Sequence, residues 1–195
     1  MQKTTVDDVE PKAPGGDDLD RRGLSDPLET SDVALNYYAL EPNEAFSGGL
    51  HAHLDQEEVF YVIDGTATFE AKPEPTADSE IIEVTAGEAV RFAPGEFQHG
   101  RNESDKQVVA LALGAPKASS EGRVPQPCSQ CGESDVLAVQ MSEDGMILQC
   151  PECGAEFDAA WVSERSVLVT DVIGTVGSTV VDPLNSRAVP VRVTV

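Results

Sequence analysis

The chain has three histidines, and they fall in two short stretches. His51 and His53 stand two residues apart, with Glu57 and Glu58 a few positions on; His99 comes later, directly after Gln98. In an extended strand side chains alternate, so His51 and His53 share one face. A hairpin that returns a carboxylate beside them would assemble two imidazole nitrogens and one carboxylate oxygen, a facial set favoured by divalent iron and similar metals. A bland reading, with histidines as hydrogen-bonded core residues and the glutamate as a solvated charge, suits a lone histidine better than this pair.

A second cluster follows. Cys128-Ser129-Gln130-Cys131-Gly132 and Cys150-Pro151-Glu152-Cys153-Gly154 are matching knuckles separated by eighteen residues. That spacing suits a closed structural zinc site of four thiolates, with each glycine free to take a positive φ. The pattern resembles a zinc ribbon. Val136 to Val139 and Met146 to Leu148, on either side of Glu143-Asp144-Gly145, read as its hairpin. Redox dithiols, disulfides or rubredoxin-like iron are the alternatives. Four thiolates already close the tetrahedron, so the expected role is structural.

The elements that must position these groups are short. Apolar runs at Val59 to Ile63, Ala67 to Phe69, Ile81 to Val84, Ala89 to Phe92 and Val108 to Leu113 alternate with turn residues at Asp64-Gly65, Ala86-Gly87 and Pro94-Gly95. Asp-Gly between two such runs reads as a hairpin, and the whole as an all-β sandwich or barrel. Residues 1–33 read as an acidic N-terminal extension, mobile at its start, although Arg21 to Leu24 could tie it to the barrel. Residues 34–114 are the expected barrel and 115–127 a polar, proline-containing linker. Residues 128–195 form the cysteine module with C-terminal β segments at 167–181 and 189–195, interrupted by Pro183 and Pro190.

The stretch from His51 to Gly65, with Gly87 to Asn102, resembles the two motifs of the cupin family. His51 and His53 fit its histidine pair; Glu58 fits its glutamate and keeps the distance to Gly65, whereas Glu57 does not. Position 45 is Ala where the first motif opens on Gly, and Ala93 replaces a proline of the second. The register of Gly87, Gly95 and Asn102 puts Gln98 at the place of the third histidine. If residues 97–100 are extended, Gln98 and His99 point to opposite faces. Register favours Gln98, ligand strength favours His99, and a bulge after Pro94-Gly95 would favour His99.

The resemblance implies a double-stranded β-helix (a jelly-roll barrel) around one divalent ion, iron, manganese, nickel or zinc. His51, His53, Glu58 and Gln98, or His99 in its place, would be the ligands. Two neutral imidazoles and one carboxylate leave such an ion about +1, suited to oxygen activation or Lewis-acid polarisation of a small oxygen ligand. Phe60 and Val62, in alternation with Glu58, should form an apolar wall. An enzyme of the oxygenase or isomerase type is one expectation. The other is a non-catalytic sensor or adaptor whose ribbon docks a protein partner. A homodimer is the expected assembly.

Composition limits the partners. With 13 basic and 35 acidic residues the net charge is −22, which disfavours nucleic acid and anionic membrane. The carboxylates are spread along the chain, as in proteins of salt-loving archaea. No window approaches the roughly 20 apolar residues of a membrane span, and the first residues lack the apolar stretch of a secretory signal. A cytoplasmic location is therefore expected.

Overall fold

The computed structural model describes residues 1–12, 19–142 and 145–158. The expected C-terminal β segments lie outside the described residues. The strands are β1 (Asp20–Gly23), β2 (Ala34–Leu40), β3 (Ala52–His53), β4 (Glu57–Asp64), β5 (Thr66–Lys72), β6 (Glu80–Thr85) and β7 (Ala89–Phe92). They continue with β8 (Phe97–Arg101), β9 (Val108–Ala115), β10 (Gly122–Val124), β11 (Leu137–Ser142), β12 (Gly145–Gln149) and β13 (Glu156–Asp158). One sheet runs β1-β2-β9-β4-β7, a second β6-β5-β8, and a third β13-β12-β11-β10-β3. The fold is all-β, a double-stranded β-helix followed by a small cysteine module.

Alternation along the large sheet explains both core and cavity. Leu40 pairs with Val108, Tyr38 with Ala110, Asn36 with Ala112 and Ala34 with Gly114. On the other side of β9, Val62 pairs with Ala110, Phe60 with Ala112 and Glu58 with Gly114. These are successive inward layers, and their composition changes from end to end. Leu40, Val62 and Val108 are fully buried at one end. At the other end small and polar side chains leave room. Between them Phe60, Phe69, Phe46 and Phe92 pack with ring centroids 5.0–6.1 Å apart. Gly100 makes this packing possible, because a Cβ there would fall on Phe69 and lie 2.7 Å from Phe46.

Three expectations need correction. Asp64-Gly65 is not a hairpin turn, because β4 is already paired on both sides, by β7 and β9. Gly65, at φ 82°, instead turns the corner that carries the chain to β5 in the other sheet. The carboxylate likewise does not return to the histidines along a hairpin, since β3 and β4 belong to different sheets. The segment read as a linker also contains β10, which pairs with β3 on one side and β11 on the other. In the extension, Arg21 to Gly23 do tie the chain to the barrel, within β1, which pairs with β2 from Asp20↔Ala39 to Gly23↔Asn36. Such short strands among polar residues have little periodicity of their own. They form because a neighbouring edge offers unpaired backbone groups.

Candidate metal centre and ligand cavity

His51 enters the barrel beside β8: its N–H donates to the Gln98 carbonyl at 3.1 Å, and the Gln98 N–H donates back at 2.8 Å. His53 ends β3. Glu58 comes from the large sheet opposite, on the inward face shared with Phe60 and Val62. One ligand atom from each of His51, His53 and Glu58 lies within 4.8 Å of the others. Glu57 points the other way, where it accepts from Arg91 Nε at 2.7 Å.

The imidazole tautomers follow from the partners of Nδ1. His51 Nδ1 lies 2.9 Å from the Gly49 carbonyl, which can only accept, so Nδ1 carries the proton. His53 Nδ1 lies 2.9 Å from Ser119 Oγ, whose single proton goes to Asp55 Oδ1 at 2.7 Å. Ser119 therefore accepts from His53, and both histidines present bare Nε2 lone pairs toward Glu58. Outer partners of this kind orient histidine ligands on metals. Burial holds the His51 imidazole below its ordinary value, which favours the neutral, ligating form. The Asp55 carboxyl is held down to about 2, first by the Ser119 hydroxyl and next by the Ser120 N–H. Its contribution is thus present above the ordinary carboxylate value of 3.8 and fades only as pH falls through about 2.

β8 is regular: Glu70 pairs with His99, Ala71 with Gln98 and Phe69 with Gly100. Gln98 therefore faces inward with Gly100, and His99 faces outward with Glu70. Gln98 is 3 % exposed, and its Nε2 donates to Glu58 Oε2 at 2.9 Å and to His51 Nε2 at 3.3 Å. Its Oε1 is buried with no hydrogen-bond partner. A half-turn of the amide would bring this orphaned carbonyl oxygen among the lone pairs of His51 and Glu58. Three convergent lone-pair groups and an unpartnered oxygen are what a cation would satisfy. The donor set therefore fits a divalent metal.

Next to this cluster lies a cavity of about 740 Å³. Ala112 and Gly114 leave its space open, and Phe60 forms an apolar wall. Val62 also points inward but belongs to the core and does not line the cavity. The sequence reading missed Arg21, Tyr38, Gln56, Lys117 and Ser119, all of which line it. Four of them come from β1, β2 and the segment after β9, where no local motif marks them; Gln56 directly precedes β4. Asn102, from the second motif, is fully buried and structural: its Nδ2 donates to the Leu40 and Lys106 carbonyls.

The cysteine cluster closes as its spacing implies. Cys128 Sγ lies 3.8 Å from Cys153 Sγ, and Cys131 Sγ 3.8 Å from Cys150 Sγ. A tetrahedron of metal–sulfur bonds near 2.3 Å has edges of roughly 3.8 Å, whereas a disulfide needs about 2.0 Å. Gly132 and Gly154, at φ 71° and 72°, return their N–H groups to the Cys128 and Cys150 carbonyls. Backbone N–H groups, Cys131's foremost, draw the Cys128 thiol down to about 6. Cys153 is pushed up to about 12: the Ala155 N–H favours its thiolate, but desolvation and the neighbouring sulfurs outweigh it. A divalent cation would relieve that repulsion. The expected hairpin is present as β11 and β12, paired from Ala138↔Gln149 to Ser142↔Gly145; turn residues 143 and 144 lie outside the described residues.

Residues 36–114 match the family model described as a cupin domain. Among solved structures, the chain is similar to a sugar phosphate isomerase from a cupin superfamily of Silicibacter pomeroyi DSS-3, with TM-score 0.58 and 17% identity over 81% of this chain and 98% of that one. It is also similar to a candidate sugar phosphate isomerase of Acidithiobacillus ferrooxidans ATCC 23270, with TM-score 0.51 and 15% identity over 78% and 85% of the two chains. At such identities the likeness speaks to fold alone. No curated protein matches. Motif, sheet topology and solved neighbours agree on the architecture: the barrel of residues 36–114 has the cupin fold, a double-stranded β-helix.

Proposed function

We propose that the barrel holds one divalent metal through His51, His53, Glu58 and Gln98, and binds or converts a small organic molecule in the adjoining cavity. The observation that carries this is the convergence of two bare Nε2 atoms and a Glu58 oxygen beside the Gln98 amide, whose own Oε1 is buried without a partner. When bound, the metal would supply Lewis-acid polarisation or oxygen activation to a ligand beside it. The chain's own residues do the remaining work. Gly49 and the Ser119–Asp55 pair fix the imidazoles, and Phe60 keeps one wall apolar. Burial first of all raises the Tyr38 hydroxyl above its ordinary value, so it stays a protonated donor in the cavity. Isomerase and oxygenase chemistry both fit this arrangement. Elemental analysis of the purified protein together with a thermal-shift screen of small metabolites tests the reading. Stoichiometric barrel metal and a stabilising small molecule are expected; a metal-free barrel that no metabolite stabilises would refute it.

One observation favours the sensor or adaptor reading. β10 joins β3, and so His53, to the sheet of the cysteine module in continuous backbone pairing. A change at the metal centre thus has a direct route to the module, for which we propose structural zinc. Ligand-dependent capture of a protein partner without turnover would separate the adaptor from the enzyme.

The proposed assembly is a homodimer through the outer face of the large sheet. There Tyr37, Leu111 and Tyr61 stand side by side in paired register, with Leu35, Leu113 and Val59 in the next row. Tyr61 and Ile63 are 41% and 45% exposed, an apolar face on a chain of charge −22. Tyr61→Asp should give a folded monomer by light scattering, and an unchanged dimer would rule this face out.

The proposed setting is a salt-rich cytoplasm. Among the described residues no helix is long and apolar enough to cross a membrane. Repulsion within the acidic coat is screened over a Debye length of about 8 Å at physiological ionic strength, and over less at molar salt. The melting temperature should therefore climb as KCl is raised from low to molar; a flat profile would contradict the adaptation.

A further inference from the structure

The cavity contains a second set of groups that the metal does not use. Of the five arginines among the described residues, four hold carboxylates: Arg22 with Asp20 at 2.6 Å, and Arg91, Arg101 and Arg123 with Glu57, Glu103 and Glu121 at 2.7 Å. Arg21 alone has no carboxylate partner among the described residues, and it lines the cavity. In a chain with 35 acidic residues for 13 basic ones, pairing is the ordinary fate of an arginine. An unpaired one facing a cavity is an available cation.

Its donors are already aimed. Nε donates to Tyr38 Oη at 3.0 Å and Nη1 to the Lys12 carbonyl at 3.2 Å, which fixes the guanidinium plane. Nη2 has no protein acceptor among the described residues. Tyr38 Oη, having accepted from Arg21, keeps its own proton to donate. Lys117 also lines the cavity, with Nζ 3.1 Å from the Thr30 carbonyl and 3.3 Å from Asp26. Asp26 is 94% exposed at its side chain, so that pair is weakened by solvent, and the ammonium retains a third N–H. The cavity's carboxylates are otherwise engaged: Glu58 faces the histidines, and Glu44 accepts from the Glu41 N–H at 2.7 Å.

We infer that the ligand of this cavity carries an oxyanion, a carboxylate or a phosphate, and that Arg21, Tyr38 and Lys117 anchor it. A planar guanidinium with its Nη2 amino group free, a phenol and an ammonium match the donor requirement of either group. The inference names the chemical class of the small molecule proposed for this cavity and rests on that reading, but it does not require the metal. Arg21 and Tyr38 are cross-strand partners in β1 and β2. The anchor therefore depends on a strand outside residues 36–114, the cupin match.

The test is isothermal titration calorimetry of the full chain at constant ionic strength, with inorganic phosphate and malonate as probes. Wild type is compared with Arg21→Gln, Arg21→Lys, Lys117→Gln and the surface control Arg91→Gln, with metal content and melting temperature measured for each. At least one probe should bind wild type, and the one that binds assigns phosphate or carboxylate. Arg21→Gln should weaken binding roughly tenfold or more, Lys117→Gln should weaken it less, and Arg91→Gln should leave it unchanged. Should Arg21→Gln not fold, Arg21→Lys keeps the charge without the fork and should still bind measurably more weakly than wild type. Failure of both probes to bind wild type, or affinity unchanged in both Arg21 variants, overturns the inference. The two readings fail separately. A metal-free barrel with Arg21-dependent anion binding sinks the metal alone; full metal with anion binding indifferent to Arg21 sinks the anchor alone.

Discussion

The His51→Ala, His53→Ala double variant should emerge from purification without barrel metal, while its cysteine module keeps its own. Each substitution removes a nitrogen donor whose tautomer is fixed by a specific acceptor, Gly49 for His51 and Ser119 for His53. Loss of an outer partner alone typically costs a metal site roughly 10–100-fold in affinity, and losing two inner donors should cost far more. Glu58→Gln should weaken the site too, because it removes the only anionic ligand. Glu57→Gln should leave it intact, since that carboxylate faces outward against Arg91. The decisive comparison lies on β8. Gln98→Ala should lower occupancy or change the metal selected, and His99→Ala should not, because His99 stands on the opposite face beside Glu70. Metal content by elemental analysis, in protein purified without chelator, reads all of these. Full barrel occupancy in the double variant would remove the basis of the metal-binding reading.

The parts of this site that could be read from sequence are those set by local spacing. His51 and His53 at i, i+2 are followed by Glu58 in step with Gly65, and a strand period of two decides between Gln98 and His99 once β8 is regular. The knuckles are equally local: each needs only two cysteines and a glycine that can take positive φ. What escaped depends on contacts between distant segments. Ser119 lies 66 positions from His53 and Arg21 lies 17 from Tyr38, so neither pair leaves a periodic trace. β10 escaped for a related reason. Gly122-Arg123-Val124 has too little pattern to declare a strand, and it becomes one because β3 and β11 flank it. The Asp64-Gly65 error is of another kind. An Asp-Gly pair announces a tight reversal, and only the pairing of β4 on both edges shows that the chain changes sheets there.

Replacing Cys128 and Cys131 by Ser should abolish metal at the four-cysteine site and unfold the module around it. A sheet of three short strands with few buried side chains has little core of its own, so metal binding supplies much of its folding free energy, about 10–16 kcal/mol in small zinc modules. The zinc reading predicts one zinc lost per chain and free reactivity of the two remaining thiols. The barrel metal should nonetheless stay, because three of its ligand residues are held without the module. His51 is paired with Gln98 on β8, and Glu58 lies on β4 between β7 and β9. His53 is the exposed link. Its carbonyl accepts from Gly95 within the barrel, but its strand pairs with β10, and its ring is set by Ser119 just before β10. Barrel metal in the cysteine variant should therefore bind at unchanged stoichiometry but more weakly, in the same direction as in Ser119→Ala. If the cysteine variant loses both metals together, β10 is a structural strut that the barrel cannot do without. If its barrel affinity equals that of wild type, the Asp55–Ser119–Ser120 contacts hold His53 by themselves, and the continuous pairing carries no coupling between the two centres.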